Sequence, residues 1–220
     1  DAAADLLRAG GLVAFPTETV YGLGADALDA AAVGRVFVAK GRPADNPLIV
    51  HLADGDDLTG VVARVTPLAG RLAAEFWPGP LTLVLEAHPD VPAPTTAGLD
   101  TVAVRVPDHP VAIAFLAAAG VPVAAPSANR SGRPSPTTAA HVMADLGGLI
   151  EAVVDGGPCT IGLESTVVDA RGDRPVVLRE GAVTREELGL VGSGDGETGR
   201  PPGTRHRHHQ PACRVEVADP

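Results

Sequence analysis

Leu12-Val-Ala-Phe-Pro-Thr-Glu-Thr-Val-Tyr-Gly-Leu-Gly-Ala-Asp-Ala27 is the stretch on which the fold turns. Its first four residues are an apolar run too short for a helix, and Pro16 closes it, so Leu12 to Phe15 reads as a buried strand. Upstream, Asp1 to Ala9 has apolar residues at helical spacing and stops at Gly10-Gly11. Downstream, Ala32, Val33, Val36 and Phe37 mark one face of a helix over Asp29 to Lys40, ended by Gly41 with Pro43 soon after. The residues from Pro16 to Gly24 read as a polar loop at the carboxyl end of the strand. A helix, a strand, a loop rich in hydroxyls and a second helix are the opening of an α/β domain.

The rest of the chain repeats that alternation. Strands are expected over Leu48 to Leu52, Leu81 to Leu85, Val102 to Val106, Val121 to Ala125, Val153-Val154, Thr166 to Asp169 and Val176 to Arg179. Helices are expected over Pro67 to Phe76, Val111 to Ala119 and Thr137 to Leu146, the last capped by Thr137 or Thr138. The expected fold is a single α/β domain over residues 1–190, with an open mixed sheet flanked by helices. From Val191 to Pro220 the pattern dissolves into Gly, Pro, Arg and His, which reads as an extended tail and a possible lid over the site.

Composition removes several classes of function. The chain has 220 residues, 45% of them hydrophobic, enough for one sizeable core. A formal charge of −10 argues against bulk attraction to nucleic acid or to an anionic membrane. Aromatic residues make up 3%, and the four phenylalanines lie in apolar segments, so a stacking platform for single-stranded RNA is hard to build. No apolar run approaches the roughly 18 residues of a membrane span, and the amino-terminal residues lack the pattern of a signal peptide. Cys159 and Cys213 form neither a disulfide framework nor a zinc motif, so a cytoplasmic setting is expected, with no protein-held metal. The first residue is not Met, and a few residues are expected to precede it.

Lys40 is the sole lysine against sixteen arginines. Such a lysine is best explained by a need for a compact point charge, here expected at a solvated helix end. Nucleotide motifs of the common kinds are missing: there is no GxxxxGK[ST] loop, and Gly22-Leu-Gly24-Ala-Asp-Ala27 is separated from its strand by Pro16 to Tyr21. Polar loops that follow or open apolar strands carry the chemistry instead. Besides the first, these are Lys40-Gly-Arg42-Pro, with Asp45-Asn46 leading into the strand of His51; Pro126-Ser127-Ala-Asn-Arg130-Ser-Gly-Arg133-Pro-Ser135; Glu164-Ser165-Thr166; and Arg179-Glu-Gly181. Taken singly, each is an ordinary turn. Together they put cations and hydroxyls at the ends of separate strands in an acidic chain, which suits a polyanionic small ligand.

The strings FPTETVYGLGADA (Phe15 to Ala27), KGRPADNPLIVH (Lys40 to His51), FWPGPLTLVL (Phe76 to Leu85), PSANRSGRPSPT (Pro126 to Thr137), LESTVVD (Leu163 to Asp169) and LREG (Leu178 to Gly181) resemble the YrdC-like family of L-threonylcarbamoyl-adenylate synthases. The resemblance spans nearly the whole chain in order. It implies a YrdC-like twisted sheet with a concave, positively charged cavity. It also implies conversion of L-threonine, bicarbonate or carbon dioxide and ATP to threonylcarbamoyl-AMP and pyrophosphate, with magnesium on the ATP. The product would go to a tRNA-modifying transferase complex that acts on adenosine 37.

By the same resemblance, Thr19, His51, Arg105, Ala125 and Ser165 would hold threonine. Lys40, Arg42, Asn46, Thr101, Ser127, Ser135, Arg179 and His209 would hold ATP, with Lys40 and Arg42 supporting catalysis. Pro202 to Pro211 is similar to a linker of the longer synthases, with His206 and His209 where that linker has tyrosines. Only Ala212 to Pro220 follow it, so the extra domain of the longer synthases is not expected. Two other activities are compatible with the resemblance: a module that binds nucleotide or RNA without turnover, and a carbamoyltransferase domain that makes carbamoyl-adenylate. The linker-like segment favours the synthase.

Overall fold

The computed structural model describes residues 2–53 and 58–190. The tail from 191 to 220, with His206 and His209, lies outside the described residues. The element order is α1 (Ala2–Arg8), β1 (Val13–Phe15), β2 (Gly22–Asp26), α2 (Ala30–Lys40), β3 (Ile49–His51), a 3₁₀ turn (Leu58–Gly60), β4 (Val62–Arg64), α3 (Pro67–Phe76), β5 (Leu81–Ala87), α4 (Ala93–Thr96), β6 (Thr101–Arg105), α5 (Pro110–Ala119), β7 (Val123–Ala124), α6 (Ala139–Leu146), β8 (Ala152–Val153), β9 (Thr166–Asp169) and β10 (Val176–Arg179). The ten strands form one mixed sheet in the order β10-β9-β5-β6-β3-β7-β2-β1-β8, and β4 pairs with β5 beside that path. Among the described residues no helix is long and apolar enough to cross a membrane.

Helix boundaries follow local chemistry. Asp29 accepts from the amides of Ala31 and Ala32 at the start of α2, and Gly41 ends it in the left-handed region at φ 60°. Thr66 caps α3 ahead of Pro67, and Thr138 rather than Thr137 caps α6.

One segment departs from the expected pattern. Gly22 to Asp26 is not loop but a strand, antiparallel to both β1 and β7. Its glycines serve close packing: a Cβ on Gly24 would stand 2.9 Å from Val123 Cγ1 and 3.1 Å from the Phe15 ring. The short strand β4 and helix α4 also went unforeseen, having too few residues to show a period.

Alternation along the strands places the site. Val50 on β3, Val102 and Val104 on β6, and Leu83 and Leu85 on β5 face a core that includes residues of α2, α3 and α6. The opposite face is covered by α1 and α5 where β1 and β7 lie, through Ala4, Leu7, Ala112, Phe115 and Leu116 packed with Val13, Phe15 and Val123. Further along that face Ile49, Val84, Ala103 and Val167 form a smaller cluster with no helix residue in it. By the two-residue period, His51 shares the side of Ile49, and Arg105 the side of Ala103. Parallel pairing of β3 with β6 sets His51 directly opposite Arg105.

The turn after β10 is closely fitted to this region. A Cβ on Gly181 would lie 2.4 to 2.5 Å from backbone atoms of Glu164, Ser165 and Thr166. Gly181→Ala is therefore expected to destabilise the fold by about 1–3 kcal/mol, read as a lowered midpoint in thermal unfolding.

Candidate functional site

The loop after β1 is organised by its own hydroxyls. Thr17 Oγ1 donates to Val20 O at 2.6 Å and accepts from the amides of Thr19 and Val20 at 3.2 Å each. With its only proton committed to Val20, Thr17 must be the acceptor in its 2.8 Å contact with Thr19 Oγ1. Thr19 also accepts from Arg105 Nη1 at 2.9 Å. Thr19 Oγ1 is thereby left with a lone pair, and no proton, for a ligand.

Arg105 is 3% exposed and ends a strand between β3 and β5. Its Nε donates to Gly79 O at 3.1 Å, and its Nη2 lies 2.5 Å from Glu18 Oε1 in an ion pair. Burial draws the guanidinium pKa below its ordinary value, and the charge of Glu18 pulls it back up. Beside it, His51 Nδ1 faces Ile49 O at 3.2 Å, and its ring meets Phe15 edge-on. Burial first, and then Arg105, push the His51 pKa down to about 3, so the imidazole is neutral.

A second cationic group stands on the same cavity. Arg179, from β10, donates through Nη2 to Ser165 O at 2.8 Å and to Ser165 Oγ at 3.1 Å, and its Nη1 pairs with Glu164 Oε2 at 2.8 Å. Ser165 Oγ in turn meets Thr82 Oγ1 at 2.8 Å. Glu164 Oε1 accepts from Ser135 at 2.9 Å. Arg42 lines the cavity with a buried Nε that has no hydrogen-bond partner among the described residues, and burial lowers its pKa to about 10. An unpartnered buried guanidinium N–H is a donor prepared for an anion.

The loop carrying Ser127 is held from behind. Lys40 Nζ donates to the carbonyls of Ser127 and Asn129, and Ser131 N returns a bond to Lys40 O at 2.8 Å. Tyr21 and Leu23 bind the carbonyls of Pro136 and Pro126, which zips this loop to the start of β2. The expectation of a solvated Lys40 at a helix end fails: the residue is 3% exposed. Burial, then Arg42, lower its pKa from 10.5 to about 7. Its ammonium is engaged by carbonyls, not solvent.

The cavity opens to solvent. Thr19, Arg42, His51, Arg105, Ala125, Ser127, Ser165 and Arg179, all named from the sequence, line it together. Lys40 and Ser135 stand behind it, touching the lining residues Ser127 and Glu164. Asn46 is buried beneath, its carbonyl 3.4 Å from Arg42 Nη2. Thr101 does not join them. It begins β6 opposite Glu86, four residues from Arg105, roughly 13 Å away at about 3.3 Å per residue. His209 lies outside the described residues.

Two carboxylates at the site, Glu18 and Glu164, were given no role from sequence. The available signal was that arginines ending apolar strands require counter-ions, and each glutamate immediately precedes a named residue.

Residues 5–181 match the sequence family of Sua5, YciO and YrdC, described under the heading "Telomere recombination". The chain is 48% identical to a threonylcarbamoyl-AMP synthase of Bacillus subtilis, covering 99% of this chain and 66% of the relative. It is 49% identical to a threonylcarbamoyl-AMP synthase of Pyrococcus abyssi, covering 99% of this chain and 67% of that one. It thus spans about two-thirds of the length of these relatives. The crystal structure of P. abyssi Sua5 complexed with L-threonine superposes with a TM-score of 0.90 at 50% identity, over 96% of this chain and 65% of that one.

The neutral state of His51 makes stability depend on pH. With a folded pKa of about 3 against an ordinary 6.5, its contribution is complete above pH 6.5 and is lost as the pH falls toward 3. Urea unfolding at pH 4 to 7 is expected to show stability falling with pH less steeply in His51→Gln than in the unmodified protein.

Proposed function

The chain belongs to the Sua5, YciO and YrdC family, and from that footing we propose that it is a threonylcarbamoyl-AMP synthase. The observation that carries this reading is the shared cavity. A buried Arg105 with Thr19, His51 and Ser165 stands beside Arg42 and Arg179, in a chain half identical to a Sua5 seen with L-threonine. The first group has the chemistry for an amino acid bearing a hydroxyl, and the second for phosphates.

The reaction asks for positioning more than for a nucleophile on the protein. The ammonium of threonine gives up a proton, its nitrogen bonds the carbon of carbon dioxide, and a second proton leaves, giving an N-carboxylate. Bicarbonate would supply that carbon dioxide by taking up one of these protons and releasing water. An oxygen of the N-carboxylate then attacks the α-phosphorus of ATP, and the bond to pyrophosphate breaks. Arg42 and Arg179 would offset the charge on the phosphates, while Arg105 holds the amino acid's carboxylate. Lys40 acts on this reading by fixing the backbone of the Ser127 loop, and its positive charge lies close behind the phosphate subsite.

Magnesium would travel with the triphosphate. Among the described residues no group of three or more His, Cys, Asp or Glu is arranged to hold a metal. The carboxylate at the cavity, Glu164, is already paired with Arg179, so phosphate oxygens and water would be the main ligands. The product would be consumed by a transferase complex that modifies tRNA, which puts the enzyme in the cytoplasm on this reading.

Pyrophosphate release is the direct test: it should require ATP, L-threonine and bicarbonate together, and release that ignores threonine overturns the reading. Among amino acids, serine, lacking only the methyl group, should lose about 1–3 kcal/mol in kcat/KM. Valine should lose more, because it leaves the hydroxyl-binding groups of the pocket unpaired. Equal turnover of valine and threonine would show that the pocket is not built around that hydroxyl.

A further inference from the structure

Glu18 is 4% exposed, and among the described residues its two buried carboxylate oxygens have no hydrogen-bond partner of good geometry beyond the ion pair with Arg105. Its compensation is the charge of Arg105, met at 2.5 Å. A buried carboxylate is ordinarily surrounded by donors, because desolvating it without them is costly. Here the donors of Arg105 are divided: Nε serves Gly79, and one N–H of Nη1 serves Thr19. A ligand carboxylate that takes up the remaining donors competes with Glu18 for the same cation.

The balance of charge decides which ligands can do so. Arg105 with Glu18 is a neutral, nearly buried pair at the wall of the cavity, so an added simple anion brings that pair an uncompensated negative charge. A zwitterion adds none. Its carboxylate faces Arg105, and its ammonium finds the negative side of the pair together with the lone pair of Thr19, whose own proton is committed to Thr17. We infer that Glu18 is a specificity-determining positioning residue, the counter-charge that makes the Arg105 subsite select a zwitterionic amino acid over a carboxylate anion of the same shape. This rests on the reading of that subsite as the place of L-threonine.

The inference separates Glu18 from a merely structural carboxylate. A structural role predicts that Glu18→Gln weakens all ligands in proportion. A charge-balancing role predicts a change in their ratio, because the substitution leaves Arg105 unbalanced and favours an anion.

The probes are L-threonine, (R)-3-hydroxybutyrate, which lacks only the amino group, and L-threonine methyl ester, which lacks the negative charge. Each is titrated calorimetrically into the full chain. In the unmodified protein both altered ligands should bind at least tenfold more weakly than threonine. In Glu18→Gln the preference for threonine over hydroxybutyrate should shrink by about tenfold or more, and Glu18→Asp should keep it even if both affinities fall. An unchanged ratio in a folded Glu18→Gln overturns the inference and leaves the synthase reading standing. If that variant does not fold, the unmodified protein still decides: hydroxybutyrate binding as tightly as threonine overturns the inference. Failure of threonine itself to bind the unmodified protein overturns the subsite reading and the inference together.

Discussion

A full positive charge buried at the end of a sheet strand is the constraint to which the rest of the site answers. Arg105 is almost wholly buried, and each of its polar neighbours can be understood as a response to that. Gly79 offers a carbonyl from the Trp77 to Pro80 corner, Thr19 an oxygen and Glu18 a charge. Meeting these demands requires the loop after β1 to fold back toward β6. The hydroxyl of Thr17 closes that loop on itself, and the backbone of Glu18 holds the segment after Cys159 through Ile161 N. Even the neutrality of His51 follows in part, since a cation directly opposite it opposes protonation.

The half of the cavity with Arg42 and Arg179 is built on a different principle. There Arg42 stands on the loop after α2 and Arg179 ends β10, and the neighbouring Ser127 loop is placed by hydrogen bonds to its backbone. Lys40 is central because an ammonium can donate to two carbonyls converging from one segment, in a space where a planar guanidinium would need a wider approach. This accounts for a lone lysine in a chain that otherwise uses arginine, though not for the reason its position at a helix end suggests. The charge is retained for structure first, and burial, then its nearness to Arg42, lowers its pKa to about 7.

Much of this was legible in the sequence. Apolar runs ended by Pro or Gly locate most strands and helices, and of the eight cavity-lining residues named from the sequence five lie in the polar loops beside those runs and three, His51, Arg105 and Ala125, on the runs themselves. What escaped has physical reasons. Strand β2 is written in glycines, which signal a turn when read locally and close sheet packing when the neighbours Phe15 and Val123 are known. Thr101 shares a strand with Arg105, but the sequence does not say which end of β6 opens on the cavity. Glu18 and Glu164 were visible as letters, yet a counter-ion is recognised only through the distance to its partner.

The two ion pairs of the cavity look alike and behave differently because of water. Glu164 and Arg179 keep 23% and 17% of their side chains exposed, so an incoming phosphate can take Arg179 while the carboxylate turns toward solvent or Ser135. Glu18 and Arg105 keep 5% and 4%, which leaves Glu18 nowhere to go. On the proposed function, a ligand at the first pair could therefore be strongly anionic, whereas a ligand at the second would have to bring its own compensating charge. An acidic chain would thus carry a polyanion site and an amino acid site side by side, separated by how far each carboxylate can follow its displacement into water.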